Sequence, residues 1–274
     1  MSNPDSEPAT PGFRVFTTLR YEPEFLSVAS IPSAYPAPVK SPYYLLSYHY
    51  ERLLESAREF EWDDAIEKVE EVVGGSMEKF AAIIDKRLPG KISSWRLRVL
   101  INYQGEIFIE ALPTSPYLTH QFFLPPDNSF TTLANGSETI TRWTLWLDTQ
   151  PTEPSIFTKH KTTIRDLYDA ARVRAGLKSM QEPREVLLFN ENGELFDGSL
   201  ATLYVKSREP GKNEWITPAL SCGASLSTTR RYALNSGYCK EGVVYAYELY
   251  DGEEAWLSNA AKGFMPGVVR LREG

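Results

Sequence analysis

The sequence has little of what marks several common classes of protein. It contains two cysteines, Cys222 and Cys239, which form neither a CxxC pair nor a Cys/His spacing typical of zinc sites. No apolar run approaches the roughly 18 residues that a membrane-spanning helix needs. We therefore expect no disulfide framework, no metal and no membrane partner, and a reducing compartment fits best.

An excess of basic residues is also missing. Lys and Arg number 29 against 36 Asp and Glu, which gives a net charge of −7, whereas proteins that bind phosphate backbones usually carry a basic excess. We expect no nucleic-acid partner. The first residues, "MSNPDSEPATPG", lack the basic and apolar regions of a secretion signal, so the expected location is cytoplasmic. The motifs GxxxxGK[ST], GxGxxG, HExxH and GxSxG are absent too.

What is present is an ordinary globular composition, with 42% hydrophobic and 24% charged residues. After a polar tail over residues 1–12, expected to be disordered, residues 13–149 are predicted to form an N-terminal α+β domain. Its predicted elements are a strand in "FRVFTTLRY", helices in "YYLLSYHYERLLESAREFEW", "DDAIEKVEEVV" and "MEKFAAIIDKRL", a hairpin in "SSWRLRVLINYQGEIFIEAL", and a strand in "RWTLWLDT".

Residues 150–156, with Pro151 and Pro154, are the predicted linker to a second domain over residues 157–274. This domain is expected to open with a helix and to continue mainly as strands. A short helix in "TTRRYALNSG" should end at Gly237, and "EGVVYAYEL" and "EEAWLSNA" are predicted strands.

The stretch "FTKHKTTIRDLYDAAR" contains a lysine in an unusual place. Its apolar spacing predicts a helix that begins near Thr162 and Thr163, which puts Lys161 just outside the helix start. The positive end of the helix dipole would lower the pKa of that amine, as a Schiff-base lysine requires. An ordinary exposed lysine is the alternative that position alone leaves open. Lys159 is expected to be solvated and His160 to pair locally.

Other polar groups have two interpretations each. Thr228 and Thr229 precede a helix, where they could hold a phosphate or only cap the helix. Alternation puts Arg96 and Arg98 on one face of a strand, which could face a pocket or belong to a solvated edge strand.

Taken together and in order, several segments resemble the class IV aminotransferase family. This family comprises the pyridoxal-phosphate (PLP) enzymes of fold type IV, including branched-chain and D-amino-acid aminotransferases and 4-amino-4-deoxychorismate lyase. The segments are "FTTLR", "HYERL", "KTTIRDLYDAAR", "LFDGSLATLYV" with "WITP", "STTRR" and "LSNAAKGFMPG". The resemblance implies an α+β, two-domain fold like that of D-amino-acid aminotransferase, with a small α/β N-terminal domain and a larger β-rich C-terminal domain.

The resemblance also implies which residues would bind PLP. Lys161 matches the Schiff-base lysine, because arginines stand four and eleven residues later, at Arg165 and Arg172. Asp197 occupies the position of the acidic residue that pairs with the pyridine nitrogen. The implied contacts to the cofactor phosphate are Arg52, Thr228, Thr229, Ser258, Asn259 and Ala260.

The segment "FTTLR" is similar to the F-T-T-x-R of aminodeoxychorismate lyases, whereas aminotransferases of the family more often have F-E-x-x-R. The function that this implies is conversion of 4-amino-4-deoxychorismate to 4-aminobenzoate and pyruvate. Thr18 would then help to position or protonate the leaving enolpyruvyl group. The two carboxylates of this small-molecule substrate would bind to Arg20, Arg96 and Arg98.

Two alternatives remain open, and the family implies one partner. The first alternative is a class IV aminotransferase that uses a branched-chain, D-amino acid or amine donor. The second is a PLP-binding scaffold without turnover, because Asp197 stands where the family has glutamate and Thr202 where it has asparagine. Since family members build the pocket with help from a partner subunit, the resemblance implies a homodimer.

Overall fold

The structure is a computed structural model that describes residues 12–115, 118–124 and 141–271. Nearly all of the predicted disordered tail lies outside these ranges. Among the described residues, no helix is both long enough and apolar enough to cross a membrane.

An antiparallel sheet of three strands forms the first part of the chain: β1 (Val15–Tyr21), β2 (Trp95–Ile101) and β3 (Ile107–Pro113), in the order β1-β2-β3. The predicted hairpin is therefore confirmed, and Gly105 lies in its turn at a φ of +74°, where a side chain would be strained. Because β2 is the central strand, the interpretation of Arg96 and Arg98 as edge-strand residues is wrong.

Three helices pack against one face of this sheet, close to the predicted positions: α1 (Leu46–Glu59), α2 (Asp63–Val73) and α3 (Met77–Asp85). The apolar face predicted for α1 is buried, and it joins Val15, Leu19 and Tyr21 of β1 in one core. Each leucine buried there contributes about 1.5–3 kcal/mol. This core fixes α1 against β1, which leaves Phe16 and Thr18 on the opposite face of the strand.

A sheet of eight strands forms the rest of the structure. Its strands are β4 (Trp143–Leu147), β5 (Arg184–Phe189), β6 (Leu195–Gly198), β7 (Thr202–Lys206), β8 (Trp215–Pro218), β9 (Lys240–Gly242), β10 (Glu254–Asn259) and β11 (Gly263–Arg270). The order is β6-β5-β4-β11-β10-β7-β8-β9. Strands β10 and β11 form a hairpin at the centre of this sheet, and the turn between them contacts Arg20 of the first sheet.

The predicted domain boundary near Thr149 does not match the sheets. Strand β4 pairs in parallel with β5 and β11, so residues 143–147 belong to the second sheet. The β4 side chains Trp143 and Leu145 are buried in the core of that sheet. Local pattern predicted the strand, but only pairing with β11, more than a hundred residues later, assigns it to a sheet.

The helices of the second part are α4 (Ile156–Lys159), α5 (Asp166–Arg174) and α6 (Thr228–Asn235). The predicted end of α6 is confirmed, since Gly237 follows it with a φ of +71°. The strand predicted in "EGVVYAYEL" is largely wrong, because only the short β9 and a 3₁₀ turn over Ala246–Glu248 form there.

The predicted start of the helix after Lys161 is wrong. Thr162 pairs with Val15 in an isolated β-bridge, and the backbone N–H of Thr163 donates to the carbonyl of Arg14 at 2.9 Å. These contacts keep the segment extended along β1. The helix α5 therefore begins only at Asp166.

Candidate active site

A cavity of about 810 Å³ lies where the two sheets meet. The first sheet contributes Thr18 and Arg98 to its wall, and the second contributes Asp197 and Ser258. Its volume lies in the range of pockets that enclose small ligands. The cavity brings together residues that are far apart in the sequence, so it depends on the packing of the two sheets.

Lys161 lines this cavity, and its Nζ lies 5.3 Å from the centre of the Phe16 ring. Its backbone carbonyl accepts a hydrogen bond of 2.8 Å from the N–H of Phe16, which fixes the segment beside β1. Burial, followed by the nearby guanidinium groups of Arg52 and Arg165, holds the pKa of Lys161 well below its ordinary value. Burial, rather than the predicted helix dipole, therefore favours the neutral, nucleophilic amine.

Asp197 lies near the end of β6, with its carboxyl group in the same cavity. The backbone N–H of Gly198 donates to Oδ1 at 3.0 Å, and the hydroxyl of Ser225 donates to the carboxylate as well. Burial outweighs these donors and raises the pKa of Asp197 to about 7. A cation beside this carboxyl would stabilise its ionised form.

Arg52, on the inner face of α1, is buried rather than solvated. Its Nε is buried and has no hydrogen-bond partner among the described residues. Burial lowers the pKa of Arg52 to about 10. A buried guanidinium without a paired anion is costly, so the site favours a ligand that carries negative charge.

Hydroxyl groups surround the start of α6. Ser258 donates to Oγ1 of Thr229 at 2.8 Å and lies 2.7 Å from the hydroxyl of Tyr204. Thr228 and Ser258 line the cavity, while Thr229 lies fully buried behind them. The first N–H groups of a helix have no acceptor within it, so Thr228 and Thr229 offer N–H donors, and Thr228 adds a hydroxyl at the cavity wall.

Asn259 ends β10 and Ala260 begins the turn to β11, and both also line the cavity. The Oδ1 atom of Asn259 accepts hydrogen bonds from the N–H groups of Ala261, at 3.1 Å, and Lys262, at 2.9 Å. Gly263 closes the turn at a φ of +72°, and a Cβ there would lie 2.4 Å from the carbonyl oxygen of Gln121. The turn is thus fixed in place.

Thr18, predicted to act in catalysis, and two of the three arginines predicted to bind the substrate lie at the cavity wall. Thr18, Arg96 and Arg98 all line the cavity. Arg98 pairs with Glu110 of β3 at 2.8 Å. For Arg96, no ion pair or hydrogen bond of the side chain is found within the described parts of the chain.

Arg20 does not line the cavity, contrary to the expectation that it faces the substrate. It is fully buried and pairs with Glu22 at 2.7 Å. Its Nη1 donates to the carbonyl of Ala261 at 3.1 Å and its Nη2 to that of Ser115 at 2.8 Å. Both carbonyls belong to residues that line the cavity, so Arg20 supports the wall from behind.

The arginines four and eleven residues after Lys161 converge on one residue. Arg165 donates to the carbonyl of Ser199 at 2.9 Å, and Arg172 donates to its hydroxyl at 2.9 Å. The buried carboxylate of Glu185 accepts hydrogen bonds from the same hydroxyl and from the N–H groups of Ser199 and Leu200. This network holds the loop that follows Asp197.

The two residues before Lys161 pair with residues of α1. Nζ of Lys159 lies 2.6 Å from Glu59, and the Nε2 of His160 lies 3.0 Å from the same carboxylate. His160 also shares a hydrogen bond of 2.9 Å with Ser56 through Nδ1. Lys159 is therefore ion-paired rather than simply solvated, and His160 pairs as expected, but with residues of α1 that lie far away in the sequence.

Sequence reasoning missed several residues of the cavity wall, above all Lys262, Trp143 and Tyr168. A lysine in a turn is usually a solvated residue, and Tyr168 fits the apolar face of α5. Trp143 fits the buried face of a strand. No local signal distinguishes these residues from ordinary surface or core positions, because their place depends on how the two sheets meet.

Comparison with known proteins agrees with this geometry. The family model for amino-transferase class IV matches residues 38–268. Aminodeoxychorismate lyase of Saccharomyces cerevisiae is 31% identical over 212 residues, which cover 71% of this chain and 55% of the yeast protein. The chain thus spans about half the length of this curated relative.

Solved structures with the same fold include a branched-chain aminotransferase from Thermoproteus uzoniensis, with a TM-score of 0.60 and 19% identity, covering 96% of this chain and 81% of that one. A candidate 4-amino-4-deoxychorismate lyase from Legionella pneumophila matches with a TM-score of 0.57 and 13% identity, covering 95% and 83%. At such identities the likeness shows the fold alone.

The chain belongs to the class IV aminotransferase family and has the fold of the type IV enzymes. The mixed α+β architecture and the resemblance stated from the sequence are confirmed. Members of this family are PLP-dependent enzymes, and membership of the family indicates such an enzyme here.

Proposed function

We propose that this cavity binds PLP. The observation that supports the fit is the buried Nε of Arg52, which has no partner among the described residues and lies in a cavity with helix N–H groups and hydroxyls. Such donors suit a phosphate group. The residues that would hold the phosphate are Arg52, Thr228, Thr229, Ser258, Asn259 and Ala260.

Two further residues fit the rest of the cofactor. The depressed pKa of Lys161 suits an amine that attaches to the cofactor aldehyde, and Asp197 would pair with the pyridine nitrogen. When bound, PLP supplies an electron sink for negative charge that develops on the substrate. The pairing would hold Asp197 ionised, although its pKa is about 7 when no cation is beside it.

We propose that the reaction is the conversion of 4-amino-4-deoxychorismate to 4-aminobenzoate and pyruvate. The observation that carries this proposal is the position of Thr18. It lies on the same face of β1 as Phe16 and lines the same cavity as Lys161. The yeast relative, aminodeoxychorismate lyase, supports it.

In this reaction the residues of the chain would move two protons. The neutral amine of Lys161, once released from the cofactor, accepts the ring proton from the carbon that bears the substrate amine. The hydroxyl of Thr18 donates a hydrogen bond or a proton to the departing enolpyruvyl group. The ring becomes aromatic, and the released enolpyruvate takes up a proton to give pyruvate.

A class IV aminotransferase is the second candidate. The solved neighbours that share the fold include aminotransferases, and Lys161 and Asp197 would serve that reaction equally. A PLP-binding scaffold without turnover is a third, because Thr202, which lines the cavity, and Asp197 depart from the family pattern. Asp197 is one methylene shorter than glutamate, so the ring would have to sit closer to β6.

The test is an assay of products. Purified protein loaded with PLP is supplied with 4-amino-4-deoxychorismate, and 4-aminobenzoate and pyruvate are measured. Both products in equal amounts are expected. Absence of both products, together with amino transfer from a D- or L-amino acid to a keto acid, would reject the lyase in favour of the aminotransferase. If the protein shows neither activity, the PLP-binding scaffold without turnover is the candidate that remains.

We also propose that the protein is a cytoplasmic homodimer that binds a small-molecule amino substrate. The support for the dimer is the family resemblance, since members complete the pocket with a partner subunit. Light scattering that gives twice the chain mass of 31.0 kDa is expected, and a monomeric mass would contradict this proposal.

A further inference from the structure

Lys262 lies in the turn between β10 and β11, and nothing in the proposed chemistry uses it. Its Nζ lies 4.4 Å from the centre of the Trp143 ring, and both residues line the cavity. Within the described residues, no carboxylate lies within 4.0 Å of this Nζ. The amine is thus held against an aromatic face and turned to the cavity without a paired anion.

The fold brings Lys262 towards Arg96. On β1 and β2, Arg20 and Arg96 are directly paired in register. Arg20 donates to the carbonyl of Ala261, the residue just before Lys262. One buried arginine therefore ties the strand that carries Arg96 to the turn that carries Lys262, and both side chains line the cavity.

The charges of the cavity wall are strongly unequal. Among the described residues that line it, six are lysine or arginine and Asp197 alone is a carboxylate; the six are Arg52, Arg96, Arg98, Lys161, Arg165 and Lys262. PLP would occupy Arg52 and Lys161, Glu110 pairs with Arg98, and Ser199 accepts from Arg165. Arg96 and Lys262 remain without an anionic partner in the described structure.

We propose that Lys262 and Arg96 together form a carboxylate-binding subsite that selects substrates with a second carboxylate. This inference rests on the proposed function, because it names the end of the substrate that does not react. It adds Lys262 to the substrate-binding residues, and it assigns Arg96 a different role from Arg98, whose charge Glu110 already balances.

The electrostatics of Lys262 agree with this role. Burial, followed by the guanidinium groups of Arg96 and Arg172 and opposed by the carboxylate of Glu185, lowers the pKa of Lys262 to about 8. A bound carboxylate would raise this pKa again, because it stabilises the charged amine. A lysine whose charged form is disfavoured by a neighbouring guanidinium is an arrangement that a bound anion relieves.

The subsite is tested by the binding of dicarboxylates to the PLP-loaded protein, without turnover. Isophthalate, an aromatic dicarboxylate, is compared with benzoate by calorimetry, for the wild type and for Lys262→Met and Arg96→Met. Each substitution should weaken isophthalate binding by about 10-fold or more, in line with the loss of one charge-assisted contact, and benzoate binding by about 2-fold or less. Lys262→Arg should keep most of the isophthalate affinity.

The matched control is Lys206→Met. Lys206 lies 4.3 Å from the ring centre of Trp215, so it has the same aromatic contact, but it does not line the cavity. Isophthalate affinity should be unchanged in this variant. Equal affinities of the wild type for the two probes, or an equal loss for both probes in Lys262→Met, would overturn the subsite.

This experiment separates the subsite from the proposed reaction. If the product assay shows amino transfer only, the lyase is rejected, while selective loss of isophthalate binding in Lys262→Met still supports the subsite. If 4-aminobenzoate forms but Lys262→Met binds isophthalate as the wild type does, the reaction stands and the subsite is rejected.

Discussion

At the scale of single residues, Asp197 and Arg52 are charged groups that the fold buries before any ligand is present. Burial raises the pKa of Asp197 and lowers that of Arg52. Both shifts mean that the folded protein without cofactor disfavours the charged form of each group relative to the unfolded chain. The cavity therefore has a cost in stability that binding of a complementary ligand would offset.

The Asp197→Asn variant should reveal this cost. The folded pKa of about 7 lies above the unfolded value of 3.8, so the carboxyl destabilises the fold increasingly as the pH rises from 3.8 towards 7. Without cofactor, the variant should be more stable than the wild type, and its gain should be larger at pH 8 than at pH 5 by about 2 kcal/mol. Urea unfolding at both pH values measures this.

The same variant should also bind PLP differently. PLP affinity should fall in Asp197→Asn although the protein is more stable, because the amide cannot hold the pyridine nitrogen protonated. A variant that is less stable than the wild type at pH 8 would contradict the account of Asp197.

Arg52→Met gives a second test at this scale. The methionine fills the space of the aliphatic stem but carries no charge, so the cofactor-free protein should lose no stability and should gain some, because the cost of burying an unpaired guanidinium is removed. PLP affinity should fall by about 10-fold or more, since a charge-assisted contact to the phosphate is lost. Arg58→Met is the control, because Arg58 is exposed on the same helix and its ion pair, among the described residues, is with Glu70.

At the scale of elements, β1 has two different faces. One face packs into the core with α1, and the other carries Phe16 and Thr18 into the cavity and ends at the buried pair of Arg20 and Glu22. Glu22 also accepts from the hydroxyl of Ser94 at 2.7 Å. This pair connects β1 to the two segments that complete the cavity wall.

Removal of Arg20 should therefore destabilise the protein and disturb the site. In Arg20→Met the carboxylate of Glu22 stays buried without its cation, which typically costs about 3–5 kcal/mol. The double variant Arg20→Met with Glu22→Gln should recover part of that loss. Thermal unfolding measures both, and a loss below about 1 kcal/mol in the single variant would contradict the structural role.

The elements also show where prediction from sequence succeeds. The helices α1 to α3, the hairpin β2–β3 and the end of α6 have strong local signals, and the structure confirms them. The start of α5 and the sheet that contains β4 depend on Val15 and on β11, which lie far away in the sequence. Apolar periodicity carries no information about such distant pairing.

At the scale of the whole molecule, the site depends on the contact between two sheets. The family resemblance selected Lys161, Arg52 and Asp197, and the structure places all three around one cavity. It could not select Lys262, nor show that Arg20 supports the wall from behind, because both depend on the turn between β10 and β11 meeting β1.

The central claim is that this cavity is a PLP site built around Lys161, and its most direct test is to locate the attached cofactor. The protein is incubated with PLP, reduced with borohydride, digested and analysed by mass spectrometry. The modification is expected on the peptide that contains Lys161, and not on Lys159 or Lys262. Modification of another lysine instead, or no stable modification at all, would contradict the account.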